Sequence, residues 1–383
     1  MKSRDPWSAT IVAASALLVS VLAVSAPAST SVAGAAPICR TWGSNQPPNN
    51  GSGDNHLSSV AVVSSCSAWA VGGYLDGANN QTLIERWNGS AWKIQTSPSP
   101  GTTNNLLAVA ATSPGNAWAV GDRSDGLTDS TLIEHWNGHA WKVQPSPNVG
   151  SVNNVLQGVV AFSATDAWAV GYAATVPFLH TLVEHWNGHT WKVQKSANAG
   201  SVDNLLSAID GTSPKDIWAV GDRGAGPRTL TEHWNGHRWK IVPSPNPGSV
   251  QDVLSGVASV APGSVWAVGY QYDGVETRTL VQRWNGHAWR VILSPNAAGT
   301  DSQLNGIAMA SATNGWAVGY SHSGIIDSAL MLHWSGHAWS KQHVPSFGTS
   351  DKLQAVGASS AKEAWAVGSF VDVVPQALAV HCC

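Results

Sequence analysis

The sequence predicts an all-β fold, a seven-bladed β-propeller, on three observations. The tetrapeptide WAVG occurs seven times, starting at Trp69, Trp118, Trp168, Trp218, Trp266, Trp316 and Trp365, with spacings of 48 to 50 residues. Each copy sits among three other short strand-like runs, and four antiparallel strands in about 50 residues is the signature of one propeller blade. The two chain ends supply complementary parts of one blade, as a closed ring requires.

Within a unit, the first run is small and apolar, as in LLAVAAT from Leu106 or LSAIDGT from Leu206, and suits the crowded position beside a central channel. The second run is AWAVG. The third and fourth form a hairpin, TLIEHWNGHAWKVQPSP from Thr131, with related copies in the other units. Asn137-Gly138 reads as a two-residue type I′ turn, which sets Trp136 opposite His139 and His135 opposite Ala140. No run holds a helical period, so a helical solenoid is disfavoured.

The last unit stops after its third strand, QALAVHCC, with Cys382 at the place of the hairpin Trp. Trp42 lies 15 residues before Leu57, as Trp141 lies 15 before Leu156, so the segment at Trp42 is the missing fourth strand. Pairing it with the C-terminal three strands leaves no open sheet edge.

Residues 1–35 read as a secretory signal: Lys2 and Arg4, an apolar run from Ile11 to Ala23, then Ala33-Gly34-Ala35 as a cleavage site, with an earlier cut after Ala26 as the alternative. Residues 36–383 then form a single propeller domain, expected to be secreted, extracellular and monomeric. No membrane span remains after signal cleavage. With a net charge of -3 and 11% charged residues, nucleic acid is not an expected partner. In an exported protein the four cysteines Cys39, Cys66, Cys382 and Cys383 are expected to form disulfides at the seam. Of the three possible pairings, Cys39–Cys383 with Cys66–Cys382 is favoured. No CxxC spacing suggests a metal site, and no cofactor is expected.

WAVGGY at Trp69 to Tyr74, then LIERW and SAWKI, resembles a kelch repeat. WNGHAW resembles the Asp-box turn of sialidase-type propellers, although Trp136 stands where the Asp would be. Residues 39–383 as a whole resemble uncharacterised secreted bacterial proteins with WAVG and HWNG repeats. The resemblance implies the propeller fold and carries no activity.

Repetition also weighs on the chemistry. Nine of the 14 histidines lie in the hairpins, among them His135 and His139, and 20 of the 21 tryptophans lie in repeated positions. Both are expected to be scaffold rather than metal or sugar sites. A rim of hairpin Trp and His is the alternative, as a lectin surface. The recurring Asn104, Asn153, Asp203, Asp252, Asp301 and Asp351 read as turn caps before the inner strand.

The segments after WAVG do not repeat. They carry Asp122, Arg123, Tyr172, His180, Asp222, Arg223, Arg228, Tyr270, Tyr272, Glu276, Arg278, Tyr320 and His322, on the face where propellers usually bind ligands. These are the candidate binding residues. The expected activity is a non-catalytic binding module for a glycan or an extracellular protein. Alternatives are a glycan-active hydrolase or lyase using Arg123, Arg223 and Arg278 with Tyr270 and Glu276, or a structural surface protein. No catalytic residue is assigned.

Overall fold

The computed structural model describes residues 41–382 except Ser151 and Ala298. The signal segment and Cys39 and Cys383 lie outside the described residues. Within them the strands form seven four-stranded antiparallel sheets. Blade 2 is representative: inner strand Thr103–Ser113, second strand Asn116–Ser124, third strand Asp129–Trp136 and outer strand Trp141–Val143. The seventh sheet is completed by the N-terminal strand Gly43–Ser44, which pairs Gly43 with His381 and Ser44 with Val380. The ring is therefore closed by main-chain hydrogen bonds between segments more than 300 residues apart.

Apolar alternation holds the blades together. On one face of blade 2, Leu106, Ala117, Ala119, Leu132, Trp136 and Trp141 pack against Trp69, Val71 and Ile84 of blade 1. On the other, Trp118, Val120 and Ile133 meet Leu156, Leu182 and Trp191 of blade 3. Six of the seven WAVG tryptophans thus lie beside two rings of the next blade, and Trp316 lies beside one, Trp42, with Cys382 in the second place. Trp118 is 5.1 Å from Trp186 and 5.2 Å from Trp191, in tilted and edge-on geometries. Such aromatic pairs contribute beyond the area they bury.

The hairpin histidines belong to the same layer. His135 is the cross-strand partner of Trp118 and stacks on it at 4.0 Å, while its Nε2 meets Asn116 Oδ1 at 2.8 Å. His185, His233 and His381 repeat the stack with Asp166, Asp216 and Glu363 as ring-nitrogen partners. Arg86 and Arg283 take the same place over Trp69 and Trp266, each 5.0 Å from the ring. A position that accepts either His or Arg over an indole serves packing and cation–π contact.

The hairpin turn differs from the sequence expectation. Trp136 pairs with Trp141 and His135 with Lys142, so the turn is centred on Gly138-His139, one residue later than Asn137-Gly138. The cause is the Asn137 side chain. Its Oδ1 accepts the His139 and Ala140 N–H groups, both at 3.0 Å, and Gly138 supplies the positive φ of 95°. An Asx-type cap replaces the type I′ turn.

The Cys66–Cys382 pairing is also corrected. Cys66 is a free, exposed thiol in the turn between the first two strands of blade 1. Cys382 is buried and disulfide-bonded, with its partner outside the described residues. It occupies the hairpin-Trp position of blade 7, which faces blade 6 and packs with Trp316 and Met331. Blade 1 lies on the opposite side of blade 7, where Trp87 and Trp92 cover Trp365. Cys382 thus enters the layer between blades 6 and 7, whereas Cys66 stays exposed at a turn of blade 1.

The glycine of each WAVG serves a close approach. A Cβ on Gly121 would lie 2.0 Å from the Asn105 carbonyl oxygen, and one on Gly221 2.1 Å from that of Leu205. The inner strand comes so near because each carries a β-bulge at this level, between Leu106 and Ala108 in blade 2 and between Leu206 and Ala208 in blade 4. A bulge adds one unpaired residue and re-aims its side chain. All seven inner strands have it.

Candidate functional site: the loop face and the mouth of the channel

The bulge residues are Ser58, Leu107, Gln157, Ser207, Ser255, Asn305 and Gln354, and they line the central channel. The channel encloses about 430 Å3. At its mouth, Ser58, Leu107, Gln157, Ser207 and Gln354 join His56 and Ser369 around a funnel of about 470 Å3. The funnel is polar and largely uncharged. Asn305 Nδ2 donates to the Leu353 carbonyl at 2.9 Å and to Gln354 Oε1 at 3.1 Å, stitching blade 6 to blade 7. Lower in the channel, Asp210 accepts the Ser259 N–H at 2.6 Å, and burial raises its pKa to about 6.

Next to WAVG the chain places Gly73, Asp122, Tyr172, Asp222, Tyr270, Tyr320 and Ser369 at matched positions in successive blades. Five of these are candidate residues from the sequence. Burial raises the pKa of Tyr172, reinforced by the negative charges of Asp122 and Asp129. Burial likewise raises Tyr270, with Asp222 and Tyr320 adding to it. Asp222 is pushed up to about 6, first by burial and then by Asp203. Asp122 is raised by burial and steadied by a 3.0 Å hydrogen bond from Asn105. Asp122 and Asp222 form no ion pair with the adjacent Arg123 and Arg223 among the described residues, since neighbours along a strand point to opposite faces.

The remaining candidates, expected on loops, lie mostly at the ends of the second and third strands and have other roles. Arg228 braces the connection before the inner strand of blade 5, donating to the Gly248 carbonyl at 2.7 Å and Asp252 Oδ2 at 2.9 Å. Arg278 is exposed and paired with Glu276 at 2.9 Å and Asp273 at 3.3 Å. His180 Nδ1 is hydrogen-bonded to Thr175 Oγ1 across its own loop. Tyr272 is half-buried, and its carbonyl accepts the Val250 N–H at 3.1 Å. Arg123, Arg223 and Arg278 belong to blades 2, 4 and 5, and the guanidinium of Arg278 is already taken by carboxylates.

The Asn and Asp residues before the inner strands are clasps. Asn104 Oδ1 accepts the Gly101 N–H at 2.7 Å, and Asp252 Oδ1 accepts that of Gly248 at 2.8 Å. In blades 3 and 4 this duty falls one residue later, to Asn154 and Asn204. Among the described residues no group of three or more His, Cys, Asp or Glu is arranged to hold a metal ion.

Two features escaped the sequence. One is the bulge ring, since period-two alternation cannot announce an extra residue. The other is the tips of the second-to-third-strand loops, where Leu127, Val176, Val275, Ile325 and Val373 are 88%, 78%, 90%, 94% and 88% exposed. In blades 2 and 5 the signal is one aliphatic residue in an otherwise polar segment, Leu127 and Val275, whereas in blades 3, 6 and 7 it is masked by neighbouring apolar residues such as Phe178, Ile326 and Val374.

No family model matches the chain, and no curated protein matches it. Solved structures do share the fold. A structure described as YCF48 bound to D1 peptide superposes with a TM-score of 0.55 at 13% identity, covering 90% of this chain and 99% of that one. The WD40 β-propeller domain of Doa1 gives a TM-score of 0.57 at 13% identity, covering 89% and 97%. At this identity the likeness is one of fold.

Proposed function

We propose that the chain is an exported, non-catalytic binding module whose loop face docks another extracellular protein. The observation that carries this reading is the set of five exposed aliphatic tips standing around a polar funnel. Isolated exposed apolar residues are ordinary, but the same loop position kept aliphatic in five blades has no role in the scaffold. Apolar contacts combined with hydrogen-bonding groups are what a protein interface needs. Both solved propellers are similar in fold, and one of them, YCF48, is bound to a peptide. A glycan reading of the tryptophans is weaker, because the WAVG and outer-strand Trp are buried and the hairpin Trp pack against neighbouring rings. Export rests on the signal-like residues 1–35, and deleting them should leave the protein inside the cell.

Crosslinking capture from the surface and medium of producing cells tests the docking reading. Wild type is compared with a tip variant carrying Leu127→Ser, Val275→Ser and Ile325→Ser, and with a control altered at His139 and His237 on the hairpin-turn face. A protein captured by wild type and control, and lost with the tip variant, supports the assignment. Capture that ignores the tips, or no capture at all, overturns it.

A further inference from the structure

Between the loop ends of blades 5, 6 and 7 lies a pocket of about 310 Å3, separate in its lining from the axial funnel. That volume is at the small end for ligand sites and suits one small molecule rather than a chain. Every lining side chain carries a polar atom, and none is aliphatic. An apolar or purely aromatic ligand would leave these groups unpaired.

One of its two carboxylates, Asp327, is compensated within the pocket. Asp327 Oδ2 receives Lys352 Nζ at 2.9 Å, and its Oδ1 receives His322 Nδ1 at 2.7 Å. Ser350 Oγ adds a hydrogen bond at 3.2 Å, so this carboxylate is fixed in orientation. Lys352 also lies over the Tyr320 ring at 4.7 Å, which holds its ammonium in place. Asp301, the cross-strand partner of His322, accepts the Thr277 N–H at 2.7 Å. An anion would face both Asp301 and Asp327, and a cation would find Asp327 already neutralised, with only the Asp301 carboxylate left to meet it. The class that keeps every one of these pairs intact is neutral and rich in hydroxyls.

We infer that this pocket binds a single neutral sugar ring, with Asp327, Lys352, Asp301 and Gln303 as the groups that pair with its hydroxyls. Carboxylate, ammonium and amide side chains held on strand ends present donors and acceptors in alternation, as vicinal hydroxyls require. The site goes beyond the docking reading and does not depend on it, since no loop-tip residue lines it.

Calorimetry and ligand-observed NMR on the purified full chain, with glucose, galactose, mannose and N-acetylglucosamine as probes, test the inference. One of these should bind in the millimolar range. Asp327→Asn and Lys352→Met should each weaken it at least tenfold, while His139→Ala, on the hairpin-turn face, leaves it unchanged. Circular dichroism checks folding, and Gln303→Ala, with a loss of about threefold or more, serves if Asp327→Asn does not fold. Absence of binding by all four sugars, binding indifferent to these variants, or equal competition by lysine amide or acetate would overturn the assignment. The tip variant should bind the sugar as wild type does, so failure here is distinguishable from failure of the docking surface.

Discussion

Blades 2 and 3 meet in two very different ways. Along their wall, Trp118, His135, Trp186 and Trp191 form a layer that recurs around the ring, with His exchanged for Arg in two blades and Cys382 in place of one Trp between blades 6 and 7. On the loop face of the same two blades, Asp122 and Leu127 stand opposite Tyr172 and Val176, and no other pair of adjacent blades has this combination. The wall is nearly dry and its residues are fixed by volume. The face is half-solvated, and its residues are free to differ. Stability is therefore expected to reside in the wall and recognition in the face, with little traffic between them.

Substitutions at the wall should be the most damaging. Gly221→Ala puts a methyl 2.1 Å from a backbone carbonyl that has no rotamer to yield, and should cost about 3 kcal/mol or more, or abolish folding. Gly226→Ala, in a loop-face connection where the nearest atom is 3.5 Å away, should be near neutral in the same urea titration. Equal tolerance of the two would break the distinction. Trp118→Ala should follow at about 3–5 kcal/mol, read from the denaturation midpoint.

A third prediction concerns acids hidden in the wall. Glu85, Glu134, Glu184 and Glu232 are fully buried, and burial raises each from 4.5 to about 8. The folded state holds these protons more tightly than the unfolded chain. Their contribution is thus complete below about pH 4.5 and is lost as pH rises toward 8. Thermal midpoints should fall across that interval. Nature already supplies the neutral analogue at this position: Gln282 donates from Nε2 to the Pro245 carbonyl at 2.9 Å. Glu134→Gln should accordingly reduce the pH dependence by about a quarter while leaving the fold intact, and an unchanged slope would refute buried protonated acids.

The smallest effect on stability is expected at the tips. Leu127→Ser and Val275→Ser should shift the unfolding free energy by about 0.5 kcal/mol or less, since almost no area is buried there. A larger loss, measured in the same titration, would show that the tips belong to the scaffold.

Much of the wall was legible in the sequence, because it is written seven times. Strand order, blade number and ring closure all follow from the spacing of WAVG and from the Trp42 and QALAVHCC segments. The hairpin turn was misplaced by one residue because a side-chain acceptor, Asn137 Oδ1, took the hydrogen bonds that a main-chain carbonyl takes in a type I′ turn. The cysteine pairing failed because sequence places Cys66 and Cys382 near one seam without saying which layer each side chain enters. On the face, Tyr320 and His322 were legible as candidates, although they end the second strand of blade 6 and do not lie in its loop. Their partners Asp327 and Lys352 were not, since one follows a turn and the other comes from the next blade.

The bulge in each inner strand has a consequence for how such a molecule diversifies. Ser58, Leu107, Gln157, Ser207, Ser255, Asn305 and Gln354 have no cross-strand partner in the ladder. They line the channel, and apart from Asn305 and Gln354, which link blades 6 and 7, their identity is nearly decoupled from the register that builds the blade. The ring thus offers five adjustable letters on a fixed page, already spelled with hydroxyls, an amide and one leucine. A library randomised at these positions alone should retain folded members at high frequency, and selection on it would retune the funnel without disturbing the wall.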